Sequence, residues 1–270
     1  MNGYQAIDWR VQDGIGVLTM NRPDKRNALD GTMREEIADV LRRVRQDAAI
    51  KTLLLTGAGG AFCAGGDLAA LEGARQDLQA ARERIRALHV WLPELINLEK
   101  PVVAAVDGPA FGAGFMLALS ADFVLASPRA RFCAVFARIG LVPDLGAFWL
   151  LPRILGLQRA KELVMTARTV GAEEAKALGI VLEIHPQEVL QDRAMAFAAR
   201  FRRAPVAVLG MAKHALNQSF NLDQRALGEM EAYAQAMAIN SPYHREAVDR
   251  FLGKQPLEFD WDRMQREGGA

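Results

Sequence analysis

The sequence has few of the features that mark several large classes of protein. Cysteine occurs only at Cys63 and Cys133 among 270 residues, too few for a disulfide scaffold, and no Cys or His pair has the spacing of a zinc site. The formal net charge is +1, so no basic surplus indicates nucleic-acid binding. No uncharged apolar run reaches the roughly 20 residues of a membrane-spanning helix, and residues 1–9 do not resemble a secretory signal. These absences predict a cytoplasmic protein with reduced thiols and neither a nucleic-acid nor a membrane partner.

The first two-thirds of the chain alternate between strand-like and helix-like segments. Apolar runs bounded by turn residues predict strands, and apolar residues recurring at intervals of three and four predict helices. Such alternation is typical of an α/β fold with a mostly parallel sheet. The predicted strands are 15–20, 52–56, 101–106, 123–126 and 131–135, and the predicted helices are 32–48, 76–98 and 112–121.

The last third reads as helical. Helices are predicted over 189–201, 206–220, 224–239 and 243–252, with Pro205 and Pro242 near two of the starts. The polar tail 255–270 carries isolated aromatics and no predicted element. This change of pattern predicts two parts, a core of residues 1–195 and a helical region of residues 196–270.

Two glycine-rich segments each follow a predicted strand. The first, residues 57–68, has five glycines, which allow the backbone to turn tightly and present N–H groups to a ligand. Alone it could equally be a loose loop, and it matches neither a phosphate-binding loop nor a dinucleotide fingerprint. The second, residues 107–114, runs from a strand into a helix, whose first N–H groups are free to bind an anionic oxygen.

Together with an upstream motif, these segments resemble the crotonase (enoyl-CoA hydratase/isomerase) superfamily. The matching motifs are Asn21–Leu29, Ala61–Leu68 and Lys100–Gly114, in the same order as in that family. The likeness runs from about Ile15 to Leu252. It implies a spiral of ββα units, an acyl-CoA thioester as substrate, and a helical C-terminal region that forms a homotrimer or a hexamer. It implies no metal and no cofactor, because coenzyme A is part of the substrate.

The resemblance also assigns roles to individual residues. The N–H groups of Ala64 and Ala113 would form an oxyanion hole for the thioester oxygen. Other matched positions would contact coenzyme A: Lys25, Arg26, Ala28, Gly66, Asp67, Leu68, Phe251 and Lys254.

The residues beside the predicted oxyanion hole argue against simple hydration. Typical hydratases of this family use two glutamates, and the matching positions here are Met116 and Phe136. Neither side chain transfers protons, so paired acid–base addition of water is predicted to be disabled.

One carboxylate, Asp144, stands in an otherwise apolar stretch. Aspartate is a common helix N-cap, and a helix is predicted to follow. The segment Ile139–Gly146 also resembles enoyl-CoA isomerases of the phenylacetate-degradation type, and matches the catalytic aspartate of dienoyl-CoA isomerases and the nucleophile of aryl-CoA dehalogenases. Met116, Phe136 and Trp149 are expected to form a dry acyl pocket that raises the pKa of this carboxyl.

The sequence therefore predicts an enoyl-CoA isomerase in which Asp144 moves a proton from C2 to C4 of a 3-enoyl-CoA. An enoyl-CoA hydratase is the main alternative. An aryl-CoA dehalogenase and a non-catalytic scaffold that binds coenzyme A or RNA remain open. Cys63 and the four histidines are expected to be structural or surface residues.

Overall fold

The computed structural model describes residues 3–68 and 77–267. The main sheet has six strands in the order β1-β2-β3-β4-β6-β9. Only β1 and β2 pair antiparallel; the other neighbours are parallel. The strands are β1 (Ile7–Gln12), β2 (Ile15–Met20), β3 (Thr52–Gly57), β4 (Val102–Val106), β6 (Phe123–Ala126) and β9 (Glu183–Ile184).

A second, smaller sheet joins β5 (Pro109–Phe111), β7 (Arg131–Cys133) and β8 (Thr169–Gly171) in the order β5-β7-β8. The predicted strand 131–135 ends at Cys133, and a 3-10 helix follows over Val135–Ile139. Sequence patterns did not predict β1, β5, β8 or β9, of which the last three have only two or three residues.

Helices cover both faces of the main sheet. They are α1 (Gly31–Gln46), α2 (Leu78–Ile96), α3 (Ala113–Leu119), α4 (Ala147–Leu155), α5 (Leu157–Thr166), α6 (Ala172–Ala177), α7 (Gln187–Ala199), α8 (Val206–Gln218), α9 (Gln224–Ile239), α10 (Pro242–Leu252) and α11 (Trp261–Glu267). The helix α1 begins where the carboxylate of Asp30 accepts a hydrogen bond from the Met33 N–H at 2.8 Å, an N-cap contact. The mixed α/β architecture that the sequence predicted is confirmed.

Alternate residues along the central strands enter different cores. Leu53 and Leu55 belong to the large core with α1 and α2, whereas Leu54 packs on the opposite face with α7. Because both faces of a parallel sheet are covered, its central strands are mainly apolar, as in β4, where all five residues are buried.

The proposed division after residue 195 falls inside α7. That helix packs on the main sheet, and residues of the C-terminal tail pack against the same helix. Phe259 and Trp261 join Phe197 and Phe201 in an aromatic cluster. Apolar residues of α7 and of the tail pack in the same core as strands of the main sheet, and the division into two parts stays a prediction.

Candidate active site

The two glycine-rich segments meet at one edge of the main sheet. Neighbouring parallel strands β3 and β4 both end there, which is where open α/β sheets place ligand-binding crevices. A cleft of about 220 Å³ lies between the segments. Residues of both segments, of α1 and α2 and of the 3-10 helix line it, together with Asp144.

The segments touch through their backbones. Cys63 donates its N–H to the carbonyl of Pro109 at 3.0 Å, and Phe111 donates to the carbonyl of Cys63 at 2.9 Å. A Cβ added at Gly114 would lie 2.1 Å from the Cys63 carbonyl oxygen, a distance that real structures do not allow. Glycine at 114 is therefore needed for the two segments to come together.

A third piece, the N-terminal motif of residues 21–29, supports the first segment. The buried side chain of Asn27 donates to the carbonyls of Ala58 and Ala61, both at 2.8 Å, and accepts from the Arg22 N–H at 2.8 Å. Arg22 also forms an ion pair with Asp67 at 3.0 Å. These contacts hold the first segment in place before any ligand binds.

The structure contradicts the prediction that the Ala64 N–H is an oxyanion donor. That N–H donates to the Arg26 carbonyl at 2.9 Å. A donor already bound to a backbone carbonyl in the unliganded protein is not free to meet a developing charge, so Ala64 belongs to the support of the loop.

Another amide of this segment is a better candidate donor, that of Gly66, two residues further on. Leu29 donates to the Gly65 carbonyl at 2.7 Å and accepts from the Asp67 N–H at 3.1 Å, the pattern of a parallel bridge centred on Gly66. The N–H of Gly66 is therefore directed away from Leu29. It has no acceptor within residues 3–68 and 77–267, and Gly66 itself lines the cleft.

Gly65 explains why two nearby amides point in different directions. Its φ is +109°, a conformation open to glycine and strained for other residues. Ala64, before this turn, directs its N–H toward the N-terminal motif, whereas Gly66, after it, directs its N–H away from that motif. The Gly65-Gly66 pair was the available signal, but the direction of the Ala64 amide depends on Arg26 and that of the Gly66 amide on pairing with Leu29, and sequence reasoning missed both contacts.

The second predicted donor, the N–H of Ala113, lies at the start of a helix beside the cleft. Ala113 is the first residue of α3, so its N–H has no partner within the helix. No acceptor for it occurs in the described parts of the chain, and it lines the cleft. A Cβ added at Gly65 would lie 3.9 Å from the Ala113 nitrogen, so the two loops bring this amide close to the Gly65-Gly66 turn.

Asp144 faces the same cleft. It is half-buried, and its Oδ1 is buried with no hydrogen-bond partner among the described residues. Burial raises the pKa of this carboxyl, an effect that the nearby Arg84 guanidinium partly opposes. Since an unpartnered buried carboxyl oxygen is costly, its retention in a cleft is typical of a functional group.

The N-cap alternative for Asp144 is not observed. The helix α4 starts after Gly146, without a side-chain cap. Asp144 contributes only its backbone carbonyl, which accepts from the Ala147 N–H at 3.0 Å.

The predicted apolar wall is correct only in part. Phe136 lines the cleft, together with Val135, Ile139 and Leu141. Met116 instead lies fully buried within α3. Trp149 packs on the core from α4, with the Arg153 guanidinium 4.3 Å from its ring. Helical geometry turns these two side chains into the protein, which spacing along the sequence did not reveal.

The residues matched to coenzyme A fall into three groups. Gly66 and Leu68 line the cleft, and Asp67 is paired with Arg22. Lys25 and Arg26 are exposed and Ala28 is half-buried in the N-terminal motif. Phe251 and Lys254 are exposed at the end of α10 and do not line the cleft. Contact of these residues with coenzyme A stays a prediction.

Cys63 lies beside the site but is not an activated thiol. Complete burial raises the pKa of its thiol to about 11, so the reactive thiolate is scarce at neutral pH. In the described ranges, no group of three His, Cys, Asp or Glu side chains could hold a metal ion.

The fold and cleft define an α/β protein with two backbone amides and one acid facing a small pocket, and comparison with known proteins gives the family. The enoyl-CoA hydratase/isomerase family matches residues 10–262. A crystal structure of an enoyl-CoA hydratase/isomerase from Cupriavidus metallidurans CH34 superposes with a TM-score of 0.92 at 44% identity, covering 96% of this chain and 97% of the other. The chain belongs to the enoyl-CoA hydratase/isomerase family, that is, to the crotonase superfamily.

Two relatives indicate the range of activities around it. A probable enoyl-CoA hydratase of Rhodobacter capsulatus is 37% identical over 95% of this chain and 98% of that protein. A 1,2-epoxyphenylacetyl-CoA isomerase of Escherichia coli K12 is also 37% identical, over 92% and 96%. The predicted likeness to isomerases of the phenylacetate-degradation type is confirmed.

Within the described residues, no helix is long and apolar enough to cross a membrane.

Proposed function

We propose that this member of an acyl-CoA enzyme family is an enoyl-CoA isomerase that uses Asp144 as its single proton-transferring group. The observation that carries the proposal is the cleft itself. A carboxyl oxygen of Asp144 lines the same small space as the N–H groups of Gly66 and Ala113, and none of the three has a hydrogen-bond partner in residues 3–68 and 77–267.

The proposed reaction shifts the double bond of a 3-enoyl-CoA by one carbon. The Asp144 carboxylate takes a proton from C2, and the C–H electron pair moves toward the thioester carbonyl, whose oxygen becomes negative. The N–H groups of Gly66 and Ala113 stabilise that oxygen. The same carboxyl then returns its proton to C4, the double bond forms between C2 and C3, and no atom is gained or lost.

The surroundings of Asp144 suit this role. A carboxyl whose pKa is raised by burial is a stronger base than an exposed aspartate and holds the proton between the two transfers. The apolar side chains of Phe136 and Leu141 line the same cleft, which disfavours water near the intermediate.

Hydration is the second candidate, because one relative is named a probable enoyl-CoA hydratase. Adding water by paired acid–base catalysis needs a second proton-transferring group. Of the described residues that line the cleft, Asp144 alone has an acidic side chain. This favours isomerisation.

The first test compares wild type with Asp144→Asn on 3-enoyl-CoA and 2-enoyl-CoA in heavy water. We expect kcat for isomerisation to fall roughly 10²- to 10⁴-fold, since a positioned base typically contributes that much. Deuterium exchange at C2 and C4 should fall with it. Mass spectrometry and absorbance of the thioester measure both.

Asp192→Asn, at an exposed position of α7, is the matched control and should keep wild-type rates. Rapid hydration of crotonyl-CoA that survives in Asp144→Asn would refute the assignment. Halide release from an aryl-CoA with a covalent adduct on Asp144 would indicate a dehalogenase instead.

We also propose that the C-terminal helices form a homotrimer or a hexamer. Large apolar side chains on α8, α9 and α10 are exposed, among them Leu216, Tyr233, Met237, Phe251 and Leu252, as is Phe220 just after α8. An apolar groove of about 630 Å³ also runs between α8 and α9. Apolar surface of this kind is typical of an interface.

Light scattering at micromolar concentration should give three or six times the mass of the chain. A monomer under those conditions would contradict the proposal. In such an assembly, Phe251 and Lys254 are proposed to reach coenzyme A on a neighbouring subunit, with Lys25, Arg26, Ala28 and Leu68 contacting it within the same subunit.

A further inference from the structure

An arginine outside the cleft joins the two glycine-rich segments, and the proposed isomerisation gives it no role. Arg129 lies in the connection between β6 and β7 and is not among the described residues that line the cleft. A terminal nitrogen of its guanidinium donates to the carbonyl of Gly60, in the first segment, at 3.1 Å. Its Nε lies 3.5 Å from the carboxylate of Asp107, the first residue of the second segment. One side chain therefore contacts both segments that supply the proposed oxyanion donors.

Neighbouring parts of the fold hold Asp107 and Arg129 in place. Strands β4 and β6 are parallel neighbours, so Asp107, which follows β4, lies beside Ser127, which follows β6. The Ser127 hydroxyl donates to the Asp107 carboxylate at 2.5 Å and accepts from the Arg129 backbone N–H at 3.1 Å. The Arg129 guanidinium also donates to the side chain of Gln187, the first residue of α7, at 3.0 Å. These contacts fix the guanidinium relative to the main sheet.

The carbonyl of Gly60 lies in a narrow space between Arg129 and the second segment. A Cβ added at Gly108 would lie 2.2 Å from this carbonyl oxygen, and a Cβ added at Gly60 would lie 2.9 Å from the Arg129 terminal nitrogen. Both glycines have a positive φ, +76° at Gly60 and +70° at Gly108, which glycine adopts without strain. The two backbones therefore approach closely at this point, and the arginine contacts the first segment beside the second.

This contact lies at the beginning of the two segments, whereas the amides of Gly66 and Ala113 lie toward their ends. Between these two places, backbone hydrogen bonds at Cys63 join the segments. A single joint would leave one segment able to rotate about it relative to the other. The contact of Arg129 with Gly60 and Asp107 is a second attachment, which restrains that rotation and with it the relative position of the two amides.

We propose that Arg129 is a positioning residue, which holds the two segments so that the amides of Gly66 and Ala113 are directed at one thioester oxygen. This inference rests on the proposed function, because it takes those two amides as the oxyanion donors. Preorganised donors stabilise a developing charge without having to move during the reaction. Donors that are less well fixed should therefore lower kcat more than they weaken substrate binding.

A contact with a phosphate of coenzyme A is the other role open to an exposed arginine. The guanidinium of Arg129 already has three acceptors within the protein: Asp107, Gly60 and Gln187. This engagement favours a role in positioning. The two roles differ kinetically, because loss of a phosphate contact raises KM, whereas loss of positioning lowers kcat.

The test observes the thioester carbonyl directly, in butyryl-CoA that is isotopically labelled at the carbonyl carbon. This saturated thioester has no double bond to shift, so it stays intact while bound. Infrared difference spectra report the carbonyl stretching frequency, which falls when N–H donors polarise the bond. Wild type should give one narrow band at a lower frequency than that of the free thioester in water.

In Arg129→Gln the band should broaden and return part of the way to the frequency of the free thioester. For a 3-enoyl-CoA, kcat should fall roughly 3- to 30-fold with KM changed by less than about twofold, since donors that are only misplaced cost less than a donor that is lost. Circular dichroism checks that the variant is folded.

Two further variants and a control sharpen the test. Arg129→Lys keeps the charge without the planar guanidinium and should retain part of the frequency shift, which keeps the test valid if the glutamine variant folds poorly. Adding Asp107→Asn to Arg129→Gln should cost little more than either change alone, because both break the same contact. Arg131→Gln is the matched control, since this nearby guanidinium contacts the carbonyls of Pro128 and Ala130. It should keep the wild-type frequency and kcat.

The outcomes separate this inference from the proposed function. A wild-type carbonyl frequency in folded Arg129→Gln and Arg129→Lys would overturn the inference, whatever the effect on KM, and leave the isomerase assignment intact. If wild type shifts the carbonyl frequency but isomerises no 3-enoyl-CoA, the proposed reaction fails and the frequencies of the variants still decide the inference. If wild type leaves the frequency of bound butyryl-CoA at its free value, the two amides are not oxyanion donors and the inference is overturned with them.

Discussion

The two glycine-rich segments look alike in sequence and differ in how their amides become available. In residues 107–114 the N–H of Ala113 is available because Ala113 is the first residue of a helix, where no intrahelical acceptor exists. In residues 57–68 the N–H of Ala64 is bound to Arg26, whereas that of Gly66, after a turn with positive φ, has no acceptor among the described residues. The start of a helix predicts which N–H groups lack an acceptor. The free N–H groups of a loop can be identified only from the contacts of the loop with other segments.

The strongest test of this difference removes one N–H at a time from the first segment. Gly66→Pro lacks the N–H, and a Cβ at that position meets nothing within 4 Å. We expect kcat to fall roughly 10²- to 10³-fold, the usual effect of losing one oxyanion donor. Steady-state kinetics and circular dichroism together separate loss of catalysis from loss of the fold.

Gly66→Ala keeps the N–H and is the matched control, which should retain most of the activity. Ala64→Pro should mainly lower the free energy of unfolding, because it breaks the hydrogen bond to Arg26. If Ala64→Pro proved stable and inactive while Gly66→Pro stayed active, the two amides would have been assigned the wrong way round.

A second test asks whether the segments must touch. Gly114→Ala places a Cβ 2.1 Å from the carbonyl oxygen of Cys63, a backbone atom that cannot rotate away. We expect the free energy of unfolding to fall by about 1–3 kcal/mol or more, measured by urea denaturation.

Gly171→Ala is the control for this substitution. Its φ is −80°, and an added Cβ would have nothing within 4 Å, so stability should change little. Equal stability of the two variants would mean that the segments can separate without cost.

The smallest expected effect concerns the acid that faces both segments. Burial raises the pKa of Asp144, so the folded state binds its proton more tightly than the unfolded state does. The resulting stabilisation is complete below the unfolded pKa of about 3.9 and is lost as the pH rises through the higher folded value. At neutral pH the ionised carboxyl therefore destabilises the fold, and Asp144→Asn should raise the free energy of unfolding slightly.

Activity should follow the opposite pH dependence, because only the ionised carboxyl accepts the C2 proton. The acidic limb of the kcat/KM profile should lie above the ordinary aspartate range and disappear in any residual activity of Asp144→Asn. An acidic limb at or below the ordinary aspartate pKa would argue against a buried base.

Much of the fold could be predicted from local patterns. The long apolar strands and helices α1, α9 and α10 lie within a few residues of their predicted bounds, because periodicity over many residues is a strong signal. The short strands β5, β8 and β9 were not predicted. They have too few residues for periodicity and exist because a partner strand lies beside them.

The features of the candidate site also divide into those that the sequence predicts and those that need the structure. The sequence alone determined that Asp144 is an acid in an apolar stretch, that a helix begins near residue 112, and that glycines allow two loops to approach closely. Only the tertiary structure decided that Gly66 is a better candidate donor than Ala64, that Met116 and Trp149 face the core, and that Arg129 contacts both glycine-rich segments. The physical reason is that the direction of an amide or a side chain depends on contacts between segments far apart in the chain, which no local pattern encodes.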